Sequence, residues 1–206
     1  MPKLRFAAPA GALVLLLLAH VAGASNTAAF ADPAGDATDA APDITSVAVS
    51  NDDAAVVTFR VSIPNRRVLG DPDLVAVLVN ADGRSNTGCA RGAFGAEYAL
   101  DVLAQRYVFG RCVHGEWDFT RPPASFRGSY GDSTLTLHVS RRDLGGASDF
   151  KFRVGSAGTS DGDAAYDFAP NVGLPDWSYR IVAPREAVKK PPKRHLRRVR
   201  KPPRRH

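Results

Sequence analysis

The sequence predicts an all-β chain: an antiparallel β-sandwich, jelly-roll-like, with at most one short helical turn near 140–145. Three observations carry this. Apolar and polar residues alternate at period two in four separate segments, the mark of half-buried antiparallel strands. The segments are short and punctuated by Gly-, Asp- and Pro-rich turns. Capped patterns of helical period are almost absent.

Taken in order, "DITSVAVS" (43–50) is the expected first strand. "VTFRVSI" (57–63) sets Val57, Phe59, Val61 and Ile63 on one face and Thr58, Arg60 and Ser62 on the other. "DLVAVLV" (73–79) is apolar on both faces, as a central strand is. "AEYALDVLA" (96–104) and "RYVFGRCV" (106–113) read as a hairpin, and "TLTLHVS" (134–140) alternates again through Leu135, Leu137 and Val139. In "SRRDLGG", Ser140 and Asp143 form a weak capping box and Gly145 stops the turn. "FKFRV" (150–154) and "WSYRI" (177–181) complete the set; the phase of the second puts Trp177 in the core with Tyr179 and Ile181.

The two ends differ from this body. Residues 1–24 carry Lys3 and Arg5, an apolar run to Leu18, then Ala22 and Ala24 in an A-x-A arrangement, which is the pattern of a secretory signal peptide. An uncleaved anchor is the alternative, although the run is short of the ~20 residues a span needs. The rest divides into one domain, 25–184, and a basic tail, 185–206. The tail holds 11 of the 27 basic residues, and "KKPPKRH" recurs in it as "RKPPRRH". Its paired prolines forbid a continuous helix and it has little to bury, so disorder is expected. With 14 basic residues left against 20 acidic ones, the body is about −6 and the tail about +10. Lys189, Lys190, Lys193, Arg194, Arg197, Arg198, Arg200, Lys201, Arg204 and Arg205 form a candidate polyanion-binding segment. A solvated tail that only keeps the chain soluble is the other reading.

Export makes an oxidising compartment the expected destination, so Cys89 and Cys112 are expected to form one disulfide. Of the body's carboxylates only Glu97 and Glu116 are Glu; the rest are Asp, which suits turns and equally suits calcium. Three stretches concentrate them: "DPAGDATDAAPD" (Asp32, Asp36, Asp39, Asp43), "NADGRSNTGC" (Asn80, Asp82, Asn86) and "SDGDAAYD" (Asp161, Asp163, Asp167). The second opens like an EF-hand loop, but Arg84 stands where a ligand belongs and no Glu closes it, so it is not one. Each stretch reads either as a plain turn or as a calcium loop, with Asp32, Asp36, Asp43, Asn80 and Asp82 the candidate ligands.

Together, "DPAGD…APDITSVAVSNDDAAVVTFRVSI", "LVNADGRSNTGC…GAEYAL" and "YDFAPNVGLPDWSYRI" resemble exported DOMON-like and family 9 carbohydrate-binding-module-like domains over 32–182. That resemblance implies a non-catalytic sandwich binding sugars, haem or calcium, with a structural calcium in the Asp32/Asp36/Asp43 loop. It carries over no sugar site; Trp117 in "HGEWDF" is the candidate ring platform. Haem is disfavoured because His114 and His138 are the body's histidines and Met1 leaves with the leader.

Catalytic constellations are missing. There is no G-x-S-x-G, too few His and Cys for a zinc site, and no carboxylate pair set among apolar neighbours. The expected function is therefore an exported non-catalytic binding or surface module for a glycan or cell-wall polymer, with calcium. The tail would tether it to an anionic polymer. The rivals are a glycosidase-like enzyme using an Asp/Glu pair and a purely structural envelope protein.

Overall fold

The structure, a computed structural model, describes residues 26–38, 40–90, 94–160 and 163–182. The expected leader and basic tail lie outside them. Two antiparallel sheets face each other. The first has five strands in the order β1 (Asn26–Ala31), β2 (Ser46–Asn51), β3 (Val56–Ser62), β9 (Thr134–Ser140), β8 (Arg127–Gly131). The second runs β11 (Asp163–Ala169), β10 (Asp149–Ser160), β4 (Leu74–Asn80), β5 (Tyr98–Leu103), β6 (Arg106–Val113), β7 (Glu116–Asp118), and β12 (Trp177–Arg180) also pairs with β10. The all-β sandwich expected from the alternation is what forms, with one 3-10 turn at Arg141–Leu144 among the described residues. Ser140 caps that turn by accepting from the Arg142 N–H, and Gly145 ends it at a φ of 71°, where a side chain is strained.

Alternation dictates the core. Val47 and Val49 of β2, Val57, Phe59 and Val61 of β3, and Leu135, Leu137 and Val139 of β9 line the inner face of the first sheet, all fully buried. Val75, Val77 and Val79 of β4, Leu100 and Val102 of β5, and Phe150, Phe152 and Val154 of β10 answer them. Phe59 is the central knot, its ring 5.8 Å from that of Phe150 and 5.6 Å from that of Phe152. Trp177 packs where its phase put it, 5.2 Å from Phe30 and 5.6 Å from Phe152.

Among the departures from the sequence expectation, which include a β10 that runs on to Ser160 and the short β7, three have clear physical reasons. The expected first strand is the second: "NTAAFA" precedes it as β1, half of it alanines that give little contrast between faces, with Phe30 as its anchor. β8 alternates through Gly128, whose bare Cα lies under the Tyr107 ring; a Cβ there would come within 2.2 Å of it. The third acidic stretch ends not as a loop but within β11, where Ala165, Asp167 and Ala169 are buried and Tyr166 and Phe168 are exposed. The large side chains face out and a carboxylate faces in, the inverse of the usual strand code.

Cys89 and Cys112 form the expected disulfide, with a Cα separation of 5.5 Å, tying the 80–89 loop to β6. Replacing both by serine is expected to cost roughly 3 kcal/mol by the chain-entropy relation for its loop length. That is a fall in Tm of roughly 6–12 °C for a domain of this size. A thermal melt that is unchanged by the double replacement would show the loop held by its hydrogen bonds alone.

Candidate metal centre

Asp32 leaves β1 still in register, its N–H donating to Thr45 O at 3.0 Å. The next residues turn back tightly. The Gly35 N–H reaches both Asp43 oxygens, at 3.2 and 3.0 Å, and this returns Asp36 beside Asp32. The loop is then zipped to β11. Thr38 N–H donates to Tyr166 O at 3.0 Å, and the Tyr166 N–H donates to Thr38 Oγ1 at 2.7 Å. Asp167, the inward residue of that strand, accepts from the Ile44 N–H and the Phe168 N–H, each at 2.7 Å. Asn171 Nδ2 donates to Asp36 Oδ2 at 2.7 Å and braces the exposed member.

The outcome is a cluster in which ligand oxygens of Asp32, Asp36 and Asp167 all lie within 4.8 Å of one another. Asp32 keeps 8% of its surface and Asp167 4%. Asp32 Oδ2 is buried and has no hydrogen-bond partner. Burial first, then the charges of Asp36, Asp167 and Asp43, push the Asp32 carboxyl up to about 7. Burial also raises Asp167, against the pull of its two backbone donors. None of the ion pairs among the described residues involves this cluster; they are Arg66–Asp73, Arg111–Asp143 and Arg153–Asp176. An unpartnered buried carboxylate beside two others is expensive unless a positive charge joins it. Carboxylate oxygens alone suit a hard divalent cation, calcium or magnesium, better than a softer metal.

The sequence-derived ligands divide. Asp32 and Asp36 meet, and their partner is Asp167 from the third stretch, 131 residues further on than Asp36, brought in by the pairing of β10 with β11. Asp43 instead spends its oxygens on the Gly35 N–H and shapes the loop. Asn80 and Asp82 are engaged in the turn itself. Asn80 Nδ2 donates to Phe94 O and Arg84 O while its Oδ1 accepts from the Gly83 N–H. Asp82 Oδ1 accepts from the Arg84 N–H and from Thr87 Oγ1. Glu97 closes this loop by accepting from the Ala81 N–H and Thr87, and burial raises its carboxyl. The "NADGRSNTGC" stretch is thus a self-satisfied turn clamped by the disulfide.

Trp117 lies on β7, at the far edge of the second sheet from β11, its ring 6.2 Å from Phe119. At the near edge stands an aromatic pair that alternation alone does not reveal. Tyr166 and Phe168, 49% and 38% exposed, stack at 6.5 Å with 16° between their planes. A groove of about 360 Å³ is lined by these two rings and by Asp36, Asp167, Asn171 and Val172. The signal in the sequence was "YDF", an acid between two aromatics in a segment of strand period.

The chain is, on this ground, a two-sheet antiparallel sandwich with an acidic centre at one end of its edge strand. No family model, no curated protein and no solved structure matches it, so the resemblance to DOMON-like and family 9 carbohydrate-binding-module-like domains gains no family-level support. No helix among the described residues is long and apolar enough to cross a membrane.

Proposed function

We propose that this protein is an exported, non-catalytic binding module whose sandwich carries a calcium ion on Asp32, Asp36 and Asp167. The observation that carries the reading is Asp32 Oδ2, buried, unpartnered and crowded by two further carboxylates. A cation supplies there what the protein does not: positive charge between β1 and β11, holding the loop to the edge strand. The disulfide fits an oxidising compartment, as the leader-like first residues do. The sequence resemblance to sugar- and calcium-binding exported domains points the same way and makes a glycan or cell-wall polymer the partner class.

Two features favour binding over catalysis. The three carboxylates can bring one oxygen each within 4.8 Å of one another, close enough to share a single ion. The other acid pushed up to about 7, Asp101, is raised by burial alone, so no second carboxylate acts on it.

Equilibrium dialysis of the exported chain is expected to give one calcium per molecule, and Asp167→Asn to lose it. Retention of a full equivalent by that variant would move the ion elsewhere. The tail is a separate element of the proposal. Full-length protein is expected to bind an anionic polymer such as heparin with steep salt dependence, and a chain ending at Pro184 to lose most of that affinity. Equal binding by both at low salt would remove the tether.

A further inference from the structure

The outer faces of the two sheets are unlike. On the first, Thr58 and Arg60 of β3 and Thr136 and His138 of β9 point away from the core, the polar face a sandwich usually shows. On the second, β4 is apolar on this side too: with Val75, Val77 and Val79 in the core, its outward residues are Leu74, Ala76 and Leu78. With Gly155 of β10 and the Tyr166 and Phe168 rings of β11 they line a groove of about 210 Å³. Arg153 is held there by Asp176 and Ser156 Oγ donates to Pro42 O, so apart from the Tyr166 hydroxyl the groove offers apolar surface. The register draws one row across this face. Phe168 pairs with Gly155, Gly155 with Ala76, and Ala76 with Asp101 of β5. The two small residues make a floor, Leu74 and Leu78 flank Ala76, and the Phe168 ring closes one end, 3.4 Å from where a Gly155 Cβ would lie. A carboxylate stands at the other end. Asp101 lies opposite in phase to the buried Leu100 and Val102 and is partly exposed, with its Oδ1 buried and unpartnered. We propose that this row is a binding site for a linear aliphatic amine, its ammonium on Asp101 and its hydrocarbon chain laid over Ala76 and Gly155 toward Phe168. The site needs no ion at the acidic centre.

Charge and shape select this ligand. None of the ion pairs among the described residues involves Asp101, and burial is the sole cause of its raised carboxyl, so no cation of the fold acts on it. Its outward neighbours on the flanking strands are Ala76 and Val108. The nearest guanidiniums by register, Arg106 of β6 and Arg153 of β10, stand one outward position along, and the second is engaged with Asp176. A carboxylate so placed is costly until a positive charge joins it. A metal ion does not suit the row, because a hard cation takes six to eight oxygens and the row holds one carboxylate. An ammonium brings a compact charge and three donors. From Asp101 to Phe168 the row crosses from β5 to β11, about 14 Å at the usual strand spacing. That length of apolar floor suits a hydrocarbon chain, while a groove of about 210 Å³ lies below the ~300–1,000 Å³ of sites that hold drug-sized molecules. A peptide lying here would bury N–H and C=O groups against side chains that answer neither.

The test is calorimetric titration of the full exported chain with n-octylamine, n-butylamine and n-octanol at pH 8, and with n-octylamine again at pH 5. At pH 8 octylamine is expected to bind at one per molecule. Butylamine and octanol are each expected to bind about tenfold or more weakly, since the first lacks the chain and the second the charge. The Asp101 carboxyl, pushed up to about 7, takes up its proton on going to pH 5, while an alkylammonium keeps its own. Octylamine affinity is therefore expected to fall about tenfold or more at pH 5. Asp101→Asn is expected to lose about tenfold or more at pH 8 while melting no lower than the parent, which separates lost binding from lost fold. Ala76→Leu fills the floor and spares the carboxylate, and is expected to lose as much. Absence of octylamine binding to the parent overturns the site. So does octylamine that binds either variant as it binds the parent, octanol that binds as tightly as octylamine, or an affinity that is the same at pH 5 and pH 8.

Discussion

Asp32→Asn is expected to abolish stabilisation by calcium and, in excess chelator at pH 8, to melt above the parent protein. The two effects have opposite signs because one carboxylate is doing opposite things in the two states. With an ion present it is a ligand at the buried end of the cluster. Without one it is an unpartnered charge, 8% exposed, facing Asp36 and Asp167. Its carboxyl is pushed up to about 7, so holding it ionised above that pH costs the folded state. At ~1.4 kcal/mol per pH unit the displacement sets a ceiling near 4 kcal/mol, and relaxation brings the expected gain to the order of 2 kcal/mol. Melting curves of the pair in calcium and in chelator read both signs. A variant that is less stable in chelator as well would mean Asp32 is held by contacts of ordinary strength and has no need of an ion.

The second large effect concerns a different carboxylate. Asp101 sits on β5, opposite in phase to Leu100 and Val102, between Ala76 of β4 and Val108 of β6. Its Oδ1 is buried without a partner, and burial alone raises the carboxyl to about 7. Between its ordinary value of 3.8 and about 7 the folded state binds this proton more tightly than the unfolded one. Stability must therefore fall as pH rises through that window and stay lowered above it. Asp101→Asn removes the titration. The variant is expected to match the parent within a few tenths of a kcal/mol near pH 4 and to exceed it by about 2 kcal/mol, roughly 4–8 °C in Tm, at pH 8. Paired melts across that range test it; parallel pH profiles for the two proteins would contradict the assignment.

What was legible in the sequence was whatever period two makes visible. β3 and β9 stand out because branched or aromatic residues alternate with Thr, Arg, His and Ser, and their observed limits fall within a residue of the reading. The cap at Ser140 and the stop at Gly145 were legible because both act locally. Asp143, though, turns to Ser125, whose hydroxyl in turn accepts from the Ser140 N–H, so the box closes through a third residue no spacing rule contains. The centre was half legible. Asp32 and Asp36 share a loop that the sequence displays, but Asp167 reaches them through strand pairing, which one sequence does not reveal. β11 hid it further by burying an acid and exposing two rings, so a reading that sends apolar residues inward assigns the wrong face. The acidic turn at 80–89 is ambiguous for the converse reason: Asx-type turns and calcium loops draw on the same residues, and the hydrogen bonds of Asn80 and Asp82 favour the turn.

The most direct test of the central claim is thermal unfolding of the exported chain with calcium and then with excess chelator. An ion that binds the folded state alone stabilises it by ~2.7 kcal/mol at a hundredfold excess over its Kd, a rise of roughly 5–10 °C for a domain of this size. The account predicts that rise, its reversal by chelator, and its absence in Asp36→Asn. A melt that ignores both calcium and chelator would contradict it, and would leave Asp32, Asp36 and Asp167 as acids tolerated at the end of a sandwich that needs no ion.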